Sequence, residues 1–326
     1  MLFFFRENKK AVKRMSAIRL VENVKENIAK VIVGKEEQTE ALLLALVCGG
    51  HVLIEDVPGL GKTTLVTALA RSLSCTYSRI QFTSDLLPSD VTGYTAFNPK
   101  TGEREVCFGG LMAQIVLADE INRTSPKTQS SLLEAMQESQ LTIDGRTYPL
   151  PEPFMVLATQ NPVEHTGTYP LPEAQLDRFF LQLSLGYPTH EEEVRILKRN
   201  MSARPMEALE PVASAEDILA LREERKRIIC ADAVLDYIIR IAEATRKDER
   251  ISLGVSPRGC IALTEAAMAA AMFAGRDYTL PDDVQKMAVQ VLAHRLVPDR
   301  RSGIRGETRS SILSAILREI KVPAVS

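Results

Sequence analysis

Residues 52–73 read as a strand, a glycine-rich turn and a helix, and this succession constrains the fold more than any other part of the 326-residue chain. Val52-Leu53-Ile54 is a short apolar run of the kind that forms a buried strand. Glu55-Asp56-Val57-Pro58-Gly59-Leu60-Gly61-Lys62-Thr63-Thr64 follows it. Leu65, Ala68, Leu69, Ser72 and Leu73 then fall at the spacing of one helix face. Glycines let backbone N–H groups close around phosphate, and a helix N-terminus adds positive potential. A strand that leads through such a turn into lysine, a hydroxyl and a helix is the arrangement that cradles a nucleoside triphosphate. Pro58, Gly59, Leu60, Gly61, Lys62, Thr63 and Thr64 would surround the phosphates, with Lys62 reaching the β- and γ-phosphates and Thr63 holding Mg²⁺. The general motif G-x-x-x-x-G-K-[ST] has its first glycine where this chain has Asp56. Taken alone, the loop also fits a surface turn with a solvated lysine.

The loop opens a longer alternation of strands and helices. Strand candidates are Val52–Ile54, Tyr77–Phe82, Ile115–Ala118, Met155–Thr159 and Phe179–Leu183, each a nearly continuous apolar run as expected of strands covered on both faces. This predicts an α/β sandwich with a mainly parallel sheet over residues 18–187. Ile18 to Cys48 has a helical pattern broken at Ile32-Val33-Gly34. Two hairpins interrupt the alternation: residues 94–108, and residues 141–148, where Asp144-Gly145 predicts a type I′ turn. From residue 188 to 326 the strands stop and an all-helical domain is predicted. Its helix starts are marked by Ser214-Ala215-Glu216-Asp217, Ser256-Pro257 and Thr279-Leu280-Pro281-Asp282. The stripe Val284, Met287, Ala288, Val291 and Leu292 belongs to its core. Residues 1–17 read as a poorly ordered extension: apolar Met1–Phe5 precedes the basic residues, the reverse of a secretory signal.

Composition narrows the partners. A net charge of −2 exerts no strong pull on nucleic acid, although a local basic channel in an assembly stays compatible. Five cysteines without a C-x-x-C pair argue against a disulfide framework and structural zinc, and fit a reducing, cytoplasmic setting. No segment approaches the roughly 20 apolar residues of a membrane span, so membrane insertion is not expected.

Five further residues would carry chemistry. Ile115-Val116-Leu117-Ala118 ends in Asp119-Glu120, and adjacent acids closing a buried strand are costly without a cation. Asp119 would position Mg²⁺, and Glu120 would act as general base on the attacking water. The strand Phe154–Thr159 ends in Gln160-Asn161-Pro162; Asn161 is the first choice to orient that water, with Thr159 and Gln160 as rivals. Arg178, in Leu176-Asp177-Arg178-Phe179, is placed to act as a finger on a transferring phosphoryl group, the ordinary alternative being a surface ion pair. Arg258 follows Ser256-Pro257 into a first helical turn, where the macrodipole disfavours a cation unless an anion such as a γ-phosphate is near. An arginine reaching solvent is equally consistent with that position.

These pieces, in this order, resemble the AAA+ ATPases, and in detail the MoxR family within the branch carrying an insert in helix 2. The resemblance spans about residues 18–300. Its most specific block is Ala118-Asp119-Glu120-Ile121-Asn122-Arg123-Thr124-Ser125-Pro126, continuing to Leu132-Leu133-Glu134-Ala135-Met136. Glu55-Asp56-Val57-Pro58-Gly59, Ala158-Thr159-Gln160-Asn161-Pro162, the run Thr168 to Phe179, and Ser256-Pro257-Arg258 support it. The resemblance implies Walker A at Lys62 and Thr63, Walker B at Asp119 and Glu120, sensor 1 at Asn161, the arginine finger at Arg178 and sensor 2 at Arg258. It implies an adenine-packing segment at Ile32, Val33 and Gly34, a helix-2 insert at the 94–108 hairpin and a lid in the helical domain. Asp56 is similar to the family's own usage, and Arg123 is a candidate for contact with a neighbouring subunit. ATP and Mg²⁺ are the implied cofactors. The implied assembly is a homo-oligomeric, hexameric ring that remodels a protein client, in some relatives one with a von Willebrand factor A domain, in maturation or metal-cofactor insertion. Two alternatives stand beside this reading. One is a nucleic-acid motor using Lys100, Arg104 and Arg146; the other is a slow nucleotide-gated binding switch.

Overall fold

The computed structural model describes residues 17–100, 102–161, 167–200, 206–207, 209–299 and 306–323. The extension expected over 1–17 lies outside these residues except for Ala17, and Pro162 and Thr101 also lie outside them. Helix α1 (residues 17–29) leads through the turn bearing Ile32, Val33 and Gly34 into α2 (Glu36–Cys48). Residues Ala41 to Val47 of α2 are buried on every side, as for a helix inside the molecule.

The alternation then unfolds as β1 (Val52–Glu55), α3 (Lys62–Ser72), β2 (Tyr77–Gln81), α4 (Pro88–Thr92) and the hairpin β3 (Gly93–Phe97) with β4 (Arg104–Phe108). Next come β5 (Ile115–Asp119), a 3-10 turn (Ile121–Arg123), α5 (Pro126–Glu138) and the hairpin β6 (Gln140–Ile143) with β7 (Arg146–Pro149). The sandwich closes with β8 (Met155–Gln160), α6 (Glu173–Leu176) and β9 (Leu181–Leu183). β2, β5, β8, β1 and β9 form, in that order, one parallel sheet. Its period of two feeds two cores: Val52, Ile54, Ile115, Leu117, Met155 and Leu157 enter one, while Leu53, Val116, Ala118, Val156 and Ala158 enter the other. Asp144 at φ 47 and Gly145 at φ 78 make the expected type I′ turn. The two hairpins touch, Phe108 meeting Tyr148 edge to face at 5.3 Å.

Two strands depart from expectation. β2 is an edge strand with only Ile80 buried, so it is not covered on both faces. β9 begins at Leu181 rather than Phe179, because the Phe179 and Phe180 carbonyls accept hydrogen bonds from Arg295 instead of joining a ladder.

The second domain comprises α7 (His190–Asn200), α8 (Ala215–Arg225), α9 (Asp232–Lys247), β10 (Ile251–Leu253), α10 (Pro257–Phe273), α11 (Pro281–Leu292), a 3-10 turn (Ala293–Arg295), β11 (Val297–Pro298) and α12 (Arg309–Glu319). Among the described residues it is helical apart from an antiparallel ribbon of β10 with β11, too short to show a period in sequence, and an isolated bridge between Ile229 and Tyr278. Ser214 and Asp217 form the expected capping box, and Ser256 caps α10 by accepting from the Gly259 N–H at 3.2 Å. The start expected at Thr279 lies one residue later: Leu280 is the cap, and its N–H donates to Asp283 at 2.8 Å. Val284, Met287, Ala288, Val291 and Leu292 join the same apolar cluster as α2 and β1, so lid and sandwich share a core. Among the described residues, no helix is long and apolar enough to cross a membrane.

Candidate active site

The loop between β1 and α3 leaves the carboxyl end of a parallel strand, where open α/β sheets bind ligands. Gly59 at φ 87 and Gly61 at φ 85 adopt left-handed backbone that favours glycine, and Gly61 caps α3. Lys62 and Thr63 are therefore the first two residues of the helix, beside N–H groups with no intrahelical acceptor. The Lys62 ammonium donates to the Asp56 carbonyl at 2.9 Å. A cleft of about 400 Å³ collects Pro58, Gly59, Gly61, Lys62, Thr63, Thr64, Asp119, Glu120 and Asn161, together with Arg79 and Gln81.

β5 delivers the two acids. Asp119 is buried, and its charge is matched: Arg79 Nη2 donates to Oδ2 at 2.6 Å and Thr159 Oγ1 to Oδ1 at 2.7 Å. Glu120 has φ 60, an uncommon conformation for a residue with a side chain. Its N–H donates to Thr159 Oγ1 at 2.8 Å. Its carboxylate accepts from Gln81 Nε2 at 2.9 Å and pairs with Arg123 Nε at 3.2 Å. Arg123, considered for a subunit contact, thus has a partner in its own chain. The Thr159 hydroxyl is spent on the two acids, and Gln160 does not line the cleft; of the three rivals, Asn161 does. The oxygens of Thr63, Asp119 and Glu120 suit Mg²⁺, which takes few protein ligands and keeps places for water and phosphate.

Sequence reasoning missed Arg79 and Gln81. The signal was present as strict alternation along Arg79-Ile80-Gln81-Phe82, polar on one side and apolar on the other. Reading that run as buried on both faces concealed it.

Across the loop lies a cavity of about 720 Å³ that shares Gly59, Gly61 and Thr64 with the cleft. Val31, Ile32, Val33, Leu60, Pro188 and Ile196 give it apolar walls, and Lys35, Arg71, Arg199 and Glu207 give it polar ones. Such a lining suits a flat heterocycle carrying a ribose. Leu60 belongs here rather than to the phosphate cleft. Gly34 faces elsewhere: at φ 70, a Cβ built on it would fall 1.7 Å from Glu192 Oε1.

Arg178 and Arg258 lie apart from Lys62. They line a third cavity of about 300 Å³ with His51, Phe180, Glu265 and Arg295. His51 directly precedes β1 and Asp56 directly follows it, so the arginine cavity and the phosphate loop sit at opposite ends of that strand. Asp177, next to Arg178, accepts from Arg295 Nε at 2.8 Å and from the α10 cap, Ser256 Oγ, at 3.2 Å. One carboxylate therefore ties together the segments that carry both arginines.

Residues 51–181 match the ATPase family associated with various cellular activities (AAA), and residues 243–316 match the AAA lid domain. The chain is 51% identical to the uncharacterized protein YeaC of Bacillus subtilis, over 91% of this chain and 93% of that one. It is 41% identical to the chaperone MoxR1 of Mycobacterium tuberculosis, over 92% of this chain and 81% of that one. A crystal structure from Cytophaga hutchinsonii, provisionally named an ATPase, superposes with a TM-score of 0.90 at 38% identity, covering 99% of this chain and all of that one.

Proposed function

The chain belongs to the MoxR family of AAA+ ATPases, and from that premise we propose that it hydrolyses ATP with Mg²⁺ at the interfaces of a hexameric ring. The observation that carries the reading is the convergence of Lys62, Thr63, Asp119, Glu120 and Asn161 on one cleft. The loop N–H groups and Lys62 hold the phosphates, and the 720 Å³ cavity takes the base against Ile32 and Val33. Thr63 and Asp119 would hold Mg²⁺, which would supply neutralising charge to the phosphate oxygens. Asn161 orients a water, and Glu120 accepts its proton as the water attacks the γ-phosphorus in line with the leaving oxygen. Gln81 and Arg123 hold the Glu120 carboxylate, so its release from them is part of reaching the reactive state. Arg178 and Arg258 serve the nucleotide of the neighbouring subunit. The work done is remodelling of a protein client in maturation or metal-cofactor insertion, in the cytoplasm, with a von Willebrand factor A domain as one client class.

Glu120→Gln tests the assignment directly. It should bind ATP within about threefold of the wild type and lose 10²–10⁴ in turnover, about the worth of one general base. Wild-type phosphate release by that variant would remove Glu120 from the chemistry.

A further inference from the structure

Asp56 stands where the general phosphate-loop motif has glycine, yet its backbone lies outside the left-handed region, so nothing conformational demands glycine there. Its buried side chain does not line the phosphate cleft. The carboxylate accepts from Ser184 Oγ at 2.7 Å, from the Leu185 N–H at 2.5 Å and from the Gly186 N–H at 3.3 Å. These residues are the stretch by which the chain leaves β9 for Pro188 and α7. The carbonyls of that stretch are held from another side. Lys35 Nζ donates to Leu185 O at 2.6 Å and to Gly186 O at 3.5 Å. Lys35 and Pro188 both border the base-sized cavity. The exit from sandwich to lid is thus clamped by one residue of the phosphate loop and one residue beside Ile32 and Val33.

We propose that Asp56 is a positioning residue that transmits occupancy of the phosphate loop to residues 184–188, the segment leading into the lid; this rests on the ATPase reading above. Lys62 now donates to the Asp56 carbonyl. Engaging phosphate draws that ammonium away and re-aims the backbone at Asp56. Because the Asp56 carboxylate is fixed to three donors, the displacement passes into the linker. A glycine at 56 would keep the phosphate cradle and lose the link.

The test compares the full-length wild type with Asp56→Gly and Asp56→Asn, using Mg²⁺ and ATPγS as the probe. Hydrogen exchange of peptides covering 184–188 and the split between kcat and KM are the readouts. In the wild type, ATPγS should slow exchange at Leu185 and Gly186 by about tenfold. Asp56→Gly should bind ATPγS within about threefold, show no such slowing, and lose about tenfold in kcat with little change in KM. Asp56→Asn, which keeps one acceptor oxygen, should fall between. A role confined to stability would move neither the nucleotide-dependent exchange nor the kcat-to-KM split. Asp56→Gly with wild-type exchange response and kcat overturns the inference while leaving the ATPase reading intact. A wild type that binds no ATPγS overturns both. If Asp56→Gly fails to fold, Ser184→Ala, which removes one donor at an exposed residue, decides on the same readouts: a reduced response supports the link and an unchanged one overturns it.

Discussion

At the N-terminal end of β1, His51 donates from Nε2 to the Met136 carbonyl at 2.9 Å and accepts at Nδ1 from the Val156 N–H at 3.0 Å. Both ring nitrogens are used, and only the neutral ring can make both bonds. Burial pushes its pKa from 6.5 down to about 4, with Arg258 and Arg222 pressing the same way. Between those values the unfolded chain binds a proton that the folded chain refuses, so stability falls as pH drops through this window. Urea denaturation at pH 7 and pH 5 should show a loss of about 2 kcal/mol attributable to this ring, and His51→Gln should show a correspondingly smaller acid loss. His294 is lowered in the same direction by burial, so a residual slope will remain. None of this was legible in sequence, where His51 is a lone histidine before an apolar run; its partners lie 85 and 105 residues away. Lys62, Asp119, Glu120 and Asn161 were legible because each stands at a strand end or helix start that the local pattern marks. Arg79 and Gln81 gain their role only when β2 is placed beside β5, and strand order is not written in any local pattern.

Between α6 and β9, the turn carrying Arg178 is held by an element 115 residues further on. Arg295 donates to the Phe179 carbonyl at 2.7 Å, the Phe180 carbonyl at 3.1 Å and the Asp177 carboxylate at 2.8 Å, and also to the Val291 carbonyl. Burial lowers its pKa to about 10, with Asp177 opposing, so it stays charged at neutral pH. Removing one partner of a buried ion pair leaves the other unmatched, which typically costs 3–5 kcal/mol. Arg295→Met should therefore lower unfolding free energy by roughly 3 kcal/mol, and Asp177→Asn by less, because Asn keeps an acceptor for Ser256 and Arg295. Paired urea titrations would settle it; equal, sub-kilocalorie losses would deny the turn its anchor. In sequence, Arg295 is a basic residue near a helix end, an ordinary sight. The run Phe179–Leu183 accordingly reads as one strand, since nothing local warns that an arginine takes its first two carbonyls.

Phosphate cleft and arginine cavity are separated by β1, four residues or about 13 Å of strand, and within one copy Arg178 and Arg258 do not line the cleft that holds Lys62. In the proposed ring a head-to-tail neighbour would supply them, and a head-to-tail contact that closes makes a ring. The sequence motifs single out both sets of residues, but only the fold shows that they line separate cavities. Mixing inactive variants turns that geometry into a measurement. Arg178→Ala keeps its own Glu120 and lacks the finger it lends; Glu120→Gln lends a finger and lacks its own base. Each homogeneous assembly should be nearly inactive. In a one-to-one mixture, a competent interface needs an Arg178→Ala subunit holding ATP beside a Glu120→Gln subunit offering its arginine. Random assembly makes that roughly a quarter of interfaces, so phosphate release should return to about a quarter of the wild-type rate once subunits exchange. Arg258→Ala mixed with Glu120→Gln should behave alike if the two arginines act together, a pairing suggested by their shared cavity and by the Asp177 carboxylate that joins the turn of Arg178 to the Ser256 cap of the helix carrying Arg258. Carrying both changes on one subunit restores no interface within its own assembly and serves as the control. Activity that stays flat across all mixing ratios, with exchange verified by labelled subunits, would put both arginines on their own nucleotide and end the case for action between subunits.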